Sequence, residues 1–375
     1  MDKCGCFSCQ FAQKMTFSPT IYYLPFTIYY LRMDENKARI MRSTPGAAIP
    51  GAEVLIECEG FDEVETRYWN CTVGDEECRL VGASKRRILA IVPGELPAGE
   101  HRLGVEIGDL TANNASLIVG TELADELHPV ANPAFDPDDG SLFVTRSGSR
   151  GQEMPVSIFR ITPDGELDGF SGDITNPTGI AFNSAGNLFV TSRLTGIVYR
   201  VDDFKEATPF AEDLGVATGL AFDKAGDLFV GNRSGVIYRI SPDGEVSSWA
   251  THEPSVSAYH LAFGPDGMLY VTGPTVSSYD AIVRFDQWGK SSVFFRGLGR
   301  PQGIAFDVDG NLYVAASYRG RRGIIRITPD GQQAELAVSG MNIVGLCFSA
   351  EGDIVVATTN AVYSVPVGIK GLLLA

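Results

Sequence analysis

The sequence predicts an all-β chain, a small sandwich followed by a six-bladed β-propeller, and two observations carry that prediction. The first is a repeat: "NPTGIAFNSAGNLFV" (residues 176–190) returns as "VATGLAFDKAGDLFV" from Val216, "AYHLAFGPDGMLYV" from Ala258, "RPQGIAFDVDGNLYV" from Arg300 and "NIVGLCFSAEGDIVV" from Asn342. Aligned on the Phe of "AF" or "CF", the copies fall at Phe182, Phe222, Phe263, Phe306 and Phe348, spaced by 40, 41, 43 and 42 residues. That is the period of a four-stranded propeller blade. A degenerate sixth copy, "VANPAFDPDDGSLFV", sets Phe135 47 residues earlier, the excess absorbed by the loop "RSGSRGQEMPVS". The second observation is a change of rhythm over residues 39–120, where short apolar runs are broken by Pro and Gly turns, as in a small β-sandwich.

Residues 1–38 read as an extension foreign to the fold, either disordered or the product of a start site assigned too early, since Met33 opens "MDENKARIMRSTPG" just before the patterned region. Within it, "TFSPTIYYLPFTIYYL" (residues 16–31) is too short for a spanning helix, holds two prolines and precedes no small-residue cleavage site. No membrane span is expected, and the compartment reads as cytoplasmic, with export as the alternative. Cys4, Cys6 and Cys9 in "CGCFSC" lack a second cluster to complete a tetrahedral metal site. Cys58, Cys71 and Cys78 lie near enough in sequence for one pair to meet, although an odd number argues for free thiols. Cys347 reads as a small buried hydrophobe.

Over residues 39–120, "STPGAAIPGAEVLIECEGF" and "IVPGELPAGEHRLGVEIG" resemble the IPT/TIG family of immunoglobulin-like domains. The resemblance implies an immunoglobulin-like sandwich used as a spacer or binding module.

Each propeller copy parses as an apolar inner strand (GIAF), a Gly-bearing turn (NSAGN, DKAGD, DVDGN) and an alternating second strand (LFVTS, LFVGN, LYVAA). A third strand such as "GIVYRV" follows, several copies turn through "TPDG" or "SPDG", and a less regular outer strand ends the blade. The last copy lacks an outer strand. "LADELHPVANPAF" aligns without gaps on "FAEDLGVATGLAF", so Thr121 to Leu127 is expected to supply that strand and close the ring of residues 121–375.

At 375 residues, 44% hydrophobic and 20% charged, the chain can bury a full core, and its net charge of -16 excludes the basic footprint of a nucleic-acid binder. There is no G-x-S-x-G elbow, P-loop or H-E-x-x-H. Asp223 and Asp307 sit in "D-x-x-G" turns suited to Asx turns rather than to Ca²⁺. The ligand face of a propeller is built from the residue before each inner strand and those after the second strand. The first set comprises Ala131, Thr178, Thr218, Tyr259 with His260 beside it, Gln302 and Val344.

The "P-x-G-I-A-F-D-x-x-G-N-L-Y-V" type, as in Pro301 to Val314, resembles NHL-repeat proteins and the senescence marker protein/gluconolactonase family over residues 121–375. For the lactonases of that family the resemblance implies a divalent cation at the axis, held by Glu, Asn and Asp where this chain has Ala131, Thr218 and Gln302. No carboxylate remains at those positions, so neither a metal site nor a catalytic residue is assigned. "GPDGMLYV" is similar to the virginiamycin B lyase type, in which His260 could match a histidine near a metal, yet the acidic partner is missing. Arg146, Arg193 and Arg233 each follow a second strand, and "SYRGRR" puts Arg319, Arg321 and Arg322 in the corresponding fifth loop.

The expected function is therefore a non-catalytic ligand- or protein-binding module with an anion-accepting channel mouth. Its expected site comprises Arg146, Thr178, Arg193, Thr218, Arg233, His260, Gln302 and Arg319. The expected partner is a small anionic ligand, an acidic peptide or another protein. The alternative is a gluconolactonase-like hydrolase with a divergent metal site, holding a divalent cation such as calcium at the axis.

Overall fold

The computed structural model describes residues 38–62, 68–148, 152–171, 173–202, 204–277 and 280–373, all strand and loop with no helix among them. The extension with Cys4, Cys6, Cys9 and the 16–31 segment lies outside the described residues. No described helix is long and apolar enough to cross a membrane.

From residue 134 onward the chain folds into successive four-stranded antiparallel meanders. The first runs Ala134–Phe135, Leu142–Thr145, Ile158–Ile161, Leu167–Ser171, and the second Pro177–Phe182, Leu188–Ser192, Val198–Val201, Ala207–Ala211. The third runs Ala217–Phe222, Leu228–Asn232, Val236–Ile240, Val246–Thr251, and the fourth His260–Phe263, Leu269–Thr272, Ala281–Phe285, Ser291–Arg296. The fifth is Ile304–Phe306, Leu312–Tyr318, Arg321–Ile327, Ala334–Ser339. The last has Ile343–Phe348, Ile354–Thr358 and Val362–Val365, and its outer strand comes from upstream: Thr121–Ala124 pairs with Val362–Val365. Leu127 extends the pairing, donating its N–H to Asn360 O at 3.0 Å, as the internal alignment predicts. The C-terminal tail runs elsewhere, Leu372 N–H donating to Phe306 O of the fifth meander.

The repeated Phe is the packing unit between meanders. Phe222 meets the second-strand Phe189 of the preceding meander edge to face at 5.1 Å, with Phe210 on the other side at 5.0 Å. The same contact recurs as Phe143–Phe182, Phe229–Phe263, Tyr270–Phe306 and Tyr313–Phe348. Such T-shaped pairs set the positive ring edge against the negative face. Between last and first meander the aromatic partner is replaced by Val355, which shares a buried cluster with Val344, Leu142 and Val144.

The repeated Gly before the Phe has a different cause. A Cβ on Gly179 would lie 2.6 Å from Thr218 O of the next inner strand, and one on Gly219, Gly303 or Gly345 would collide with the next backbone likewise. Adjacent inner strands therefore approach more closely than any side chain allows. Two repeats break the rule, with Asn132 and His260 in the Gly place.

Residues 38–119 form a second β-region. Arg39–Thr44, Glu53–Glu59, Arg87–Ile91 and Arg79–Ser84 make one sheet, with order Arg39–Thr44, Glu53–Glu59, Arg87–Ile91, Arg79–Ser84. Glu76–Glu77, Trp69–Val73, Gly99–Ile107 and Leu110–Val119 belong to another, which does not stop at the sandwich. Ala47–Ala48 pairs in parallel with Leu110–Val119 on one side and with Ala334–Ser339 of the fifth meander on the other, giving one nine-stranded sheet. One hydrophobic cluster runs through the same seam, from Val54, Ile56 and Val119 to Tyr313, Ile324 and Val356. Cys58, Cys71 and Cys78 are buried in it as free thiols. Cys347 is only partly buried, against the cluster that joins the last and first meanders.

Candidate functional site

In every meander the segments before the first strand and after the second meet at one end. Arg193 N–H donates to Asn176 O at 3.2 Å, and Arg233 N–H to Val216 O at 3.1 Å. That end carries the predicted arginines of the first three meanders. Residues 145–148 lie along residues 176–178: Thr145 Oγ1 donates to Thr178 O at 3.4 Å, and Asn176 Nδ2 to Gly148 O at 3.2 Å. Arg193 Nη2 donates to the same Gly148 O at 3.1 Å, which brings Arg193 against the loop bearing Arg146.

Arg193 is half-buried, and its pKa is lowered first by desolvation and then by the positive charge of Arg233. The two guanidinium groups thus feel each other. Arg233 itself donates to Val256 O at 3.1 Å. Arg146 rests its guanidinium over Phe159 at 5.8 Å. None of the three forms an ion pair with a carboxylate among the described residues. In the same two segments, Arg146 Nε, Ser147 Oγ and Thr178 Oγ1 are buried with no hydrogen-bond partner among the described residues. Buried polar atoms are almost always paired, so three such atoms in two adjoining segments set this end apart from the rest of the fold.

The remaining predicted positions behave differently. Thr218 is spent on structure: its hydroxyl donates to Gly231 O at 2.9 Å and accepts from Tyr259 N at 3.1 Å, and its carbonyl accepts from Thr191 Oγ1. Thr272 Oγ1 likewise donates to Gln302 O. Second-strand threonines Thr145, Thr191 and Thr272 thus stitch the first, second and fourth meanders to the next inner strand. His260 is inside the ring of inner strands, only 3% exposed, and burial drives its pKa down to about 4. Arg319 is exposed at the tip of the long hairpin Leu312–Tyr318/Arg321–Ile327, its guanidinium over the Tyr318 ring at 5.0 Å. The neighbouring Arg321 Nη1 donates to Thr44 O of the sandwich at 2.9 Å, so this hairpin braces the two β-regions.

Gln302 lines a cavity of about 350 Å³ at the same end, between the fifth and last meanders. Arg300, Arg322, Asn342 and Thr359 are among its walls, which include no carboxylate. Sequence reasoning passed over Arg300, although it directly precedes the Pro301 that opens the fifth repeat.

No family model matches the chain, and no curated protein matches it. Solved structures do. A calcium-binding protein, regucalcin, from Agrobacterium tumefaciens matches at 17% identity and TM-score 0.56, over 68% of this chain and 96% of its own. A gluconolactonase from Xanthomonas campestris matches at 18% and 0.55, over 65% and 88%. An auxiliary nutrient binding protein from Bacteroides thetaiotaomicron covers 88% of this chain and 98% of its own, at 14% and 0.52. These likenesses establish a fold of the propeller type.

At the positions where the resemblance would place cation ligands, Ala131 has no side-chain ligand atom and the Thr218 hydroxyl is already bonded, which leaves the Gln302 amide oxygen alone. A hard cation needs several oxygens, preferably charged. No group of three or more His, Cys, Asp or Glu among the described residues is placed to hold a metal.

Proposed function

We propose that residues 39–120 form an immunoglobulin-like sandwich of the IPT/TIG kind, that residues 121–375 form a six-bladed propeller, and that the protein is a non-catalytic binding module taking an anionic group at the channel mouth. The observation that carries the reading is the pair Arg193 and Arg233, mutually repelling, without carboxylate partners among the described residues, beside the unpartnered Arg146 Nε, Ser147 Oγ and Thr178 Oγ1. Two guanidiniums brought together against their repulsion are relieved by a bound carboxylate or phosphate, which also accepts from the orphan donors. A small carboxylate or phosphate, or the side chain of an acidic peptide, meets that chemistry. The braced junction between the β-regions suits a rigid display of the mouth.

Calorimetry of citrate, a sugar phosphate and an oligo-glutamate peptide against wild type and the Arg193→Ala, Arg233→Ala pair tests the proposal. Saturable binding that weakens with salt and at least tenfold in the double variant supports it. Absence of binding by all three sinks it, and lactone hydrolysis dependent on a divalent cation would replace it with the hydrolase reading.

A further inference from the structure

The opposite end of the meanders carries a second cleft of different chemistry. It measures about 480 Å³, within the range of small-ligand sites, and lies between the third and fourth meanders. Its rim is made by the strand-to-strand turns at residues 223–227, 264–268 and 286–290, not by the loops bearing the arginines.

Two tryptophans distinguish this cleft from its siblings. Trp249 stands on the outer strand where the preceding meanders have Phe170 and Phe210, and it packs 4.9 Å from Phe229. Trp288 occupies the third place of the turn "DQWG", where "TPDG" and "SPDG" put Asp164, Asp243 and Asp330. It is 78% exposed, so folding gains little from it. Neither indole N–H has a partner among the described residues.

Between the rings stand hydrogen-bonding groups whose geometry is already fixed. Asp223 Oδ1 accepts from Ala225 N at 2.9 Å and Asp227 N at 3.0 Å, and Asp286 Oδ1 accepts from Trp288 N and Lys290 N, both at 3.0 Å. Each Asx turn holds its carboxylate rigid while the second oxygen, Oδ2, has no partner among the described residues. Lys224 adds a cationic donor, and Arg239 is held by its ion pair to Asp227.

We propose that this cleft binds a neutral saccharide. A sugar ring has an apolar C–H face that lies on an exposed indole and a rim of hydroxyls that both donate and accept. The cleft offers aromatic surface, free carboxylate acceptors and free N–H donors in one place. Both signs are present, Asp223 and Asp286 against Lys224 with Arg239 already paired to Asp227, so the cleft holds no concentrated positive charge for an anion. The site is separate from the arginine-bearing mouth and does not depend on its occupancy.

Methyl glucoside, methyl galactoside, cellobiose and maltose are titrated into the full chain, with tryptophan emission and calorimetry as readouts. The expected result is saturable binding of at least one of them, with a change in emission. The affinity falls at least tenfold in Trp288→Ala and in Asp286→Asn, whose side-chain oxygen still accepts the turn amides. Binding persists in the Arg193→Ala, Arg233→Ala pair, which separates this site from the mouth. Melting temperature guards against misfolding, and Asp286→Asn keeps the test open if Trp288→Ala is unstable. The proposal is overturned if no saccharide binds the folded protein, if binding survives undiminished in both cleft variants, or if tetramethylammonium occupies the cleft in preference to every sugar.

Discussion

His260 stands where four other repeats have glycine between inner strands, and its protonation should measurably destabilise the fold. Burial alone lowers its pKa from 6.5 to about 4, with no charged group contributing. Between those values the unfolded chain binds a proton that the native state does not, so stability is full above pH 6.5 and falls with pH until about 4. At 1.36 kcal/mol per pH unit the loss reaches about 3 kcal/mol by pH 4. Urea unfolding of wild type and His260→Asn at pH 7 and pH 4 isolates the effect, because carboxylates and the half-buried His252 titrate in both proteins and cancel. The variant copies the natural choice at Asn132. The gap between the two proteins should move by about 3 kcal/mol in favour of the variant on acidification. A gap unchanged within about 0.5 kcal/mol would mean that the imidazole is solvated or paired in the native state, and the axial packing described here would be wrong.

Phe222→Ala should cost about 3–5 kcal/mol in denaturant unfolding, because the ring fills the seam between two meanders; a cost under about 1 kcal/mol refutes the packing. Asn132→Ala should cost about 2 kcal/mol, since Nδ2 donates to Ile304 O at 3.0 Å and Oδ1 accepts from Leu346 N at 3.1 Å, leaving both groups unpaired on truncation. Burial raises Cys58 to about 11 and pushes the Cys347 thiol up, while Cys71 is pushed up first by its hydrogen bond with Cys78 and then by burial. Iodoacetamide at pH 8 should therefore leave the buried Cys58 and Cys71 unmodified in the native protein and label them in urea; peptide mass mapping that finds them alkylated without denaturant contradicts their burial.

Much of this architecture was legible because it repeats. The Phe and Gly recur with the blade period since every seam imposes the same demand, an edge-to-face ring and a backbone too close for a Cβ. The closing strand Thr121–Ala124 was found through its alignment with an internal outer strand, which needed no knowledge of space. Single-copy features were out of reach. The join of Ala47–Ala48 to Ala334–Ser339 is made by main-chain bonds between segments far apart in sequence, and two alanines announce nothing. The stitching role of Thr191 and Thr272 was hidden for a related reason: nothing in the sequence shows that their hydroxyls are committed to the carbonyls of the next inner strand. Trp288 was visible as a departure from "TPDG", but only its exposure and its place beside Trp249 give the departure meaning.

The same close approach decides where chemistry can happen in this protein. Four glycines let the inner strands draw together, and the two larger residues that replace glycine are themselves committed: Asn132 to main-chain bonds across two neighbouring strands, and His260 to a site that keeps it neutral. Carbonyls that could face an axial ion are instead capped by threonine hydroxyls. The proposed recognition lies instead at the two ends, whose loops are free of the repeat's constraints. The two ends differ in chemistry, with guanidiniums that have no carboxylate partner among the described residues at one and tryptophan with fixed carboxylates at the other. A protein that only needed a stable spacer would have no reason to keep two arginines in mutual repulsion or an indole in water, and it is those two costs, at opposite ends of one rigid scaffold, that argue for binding.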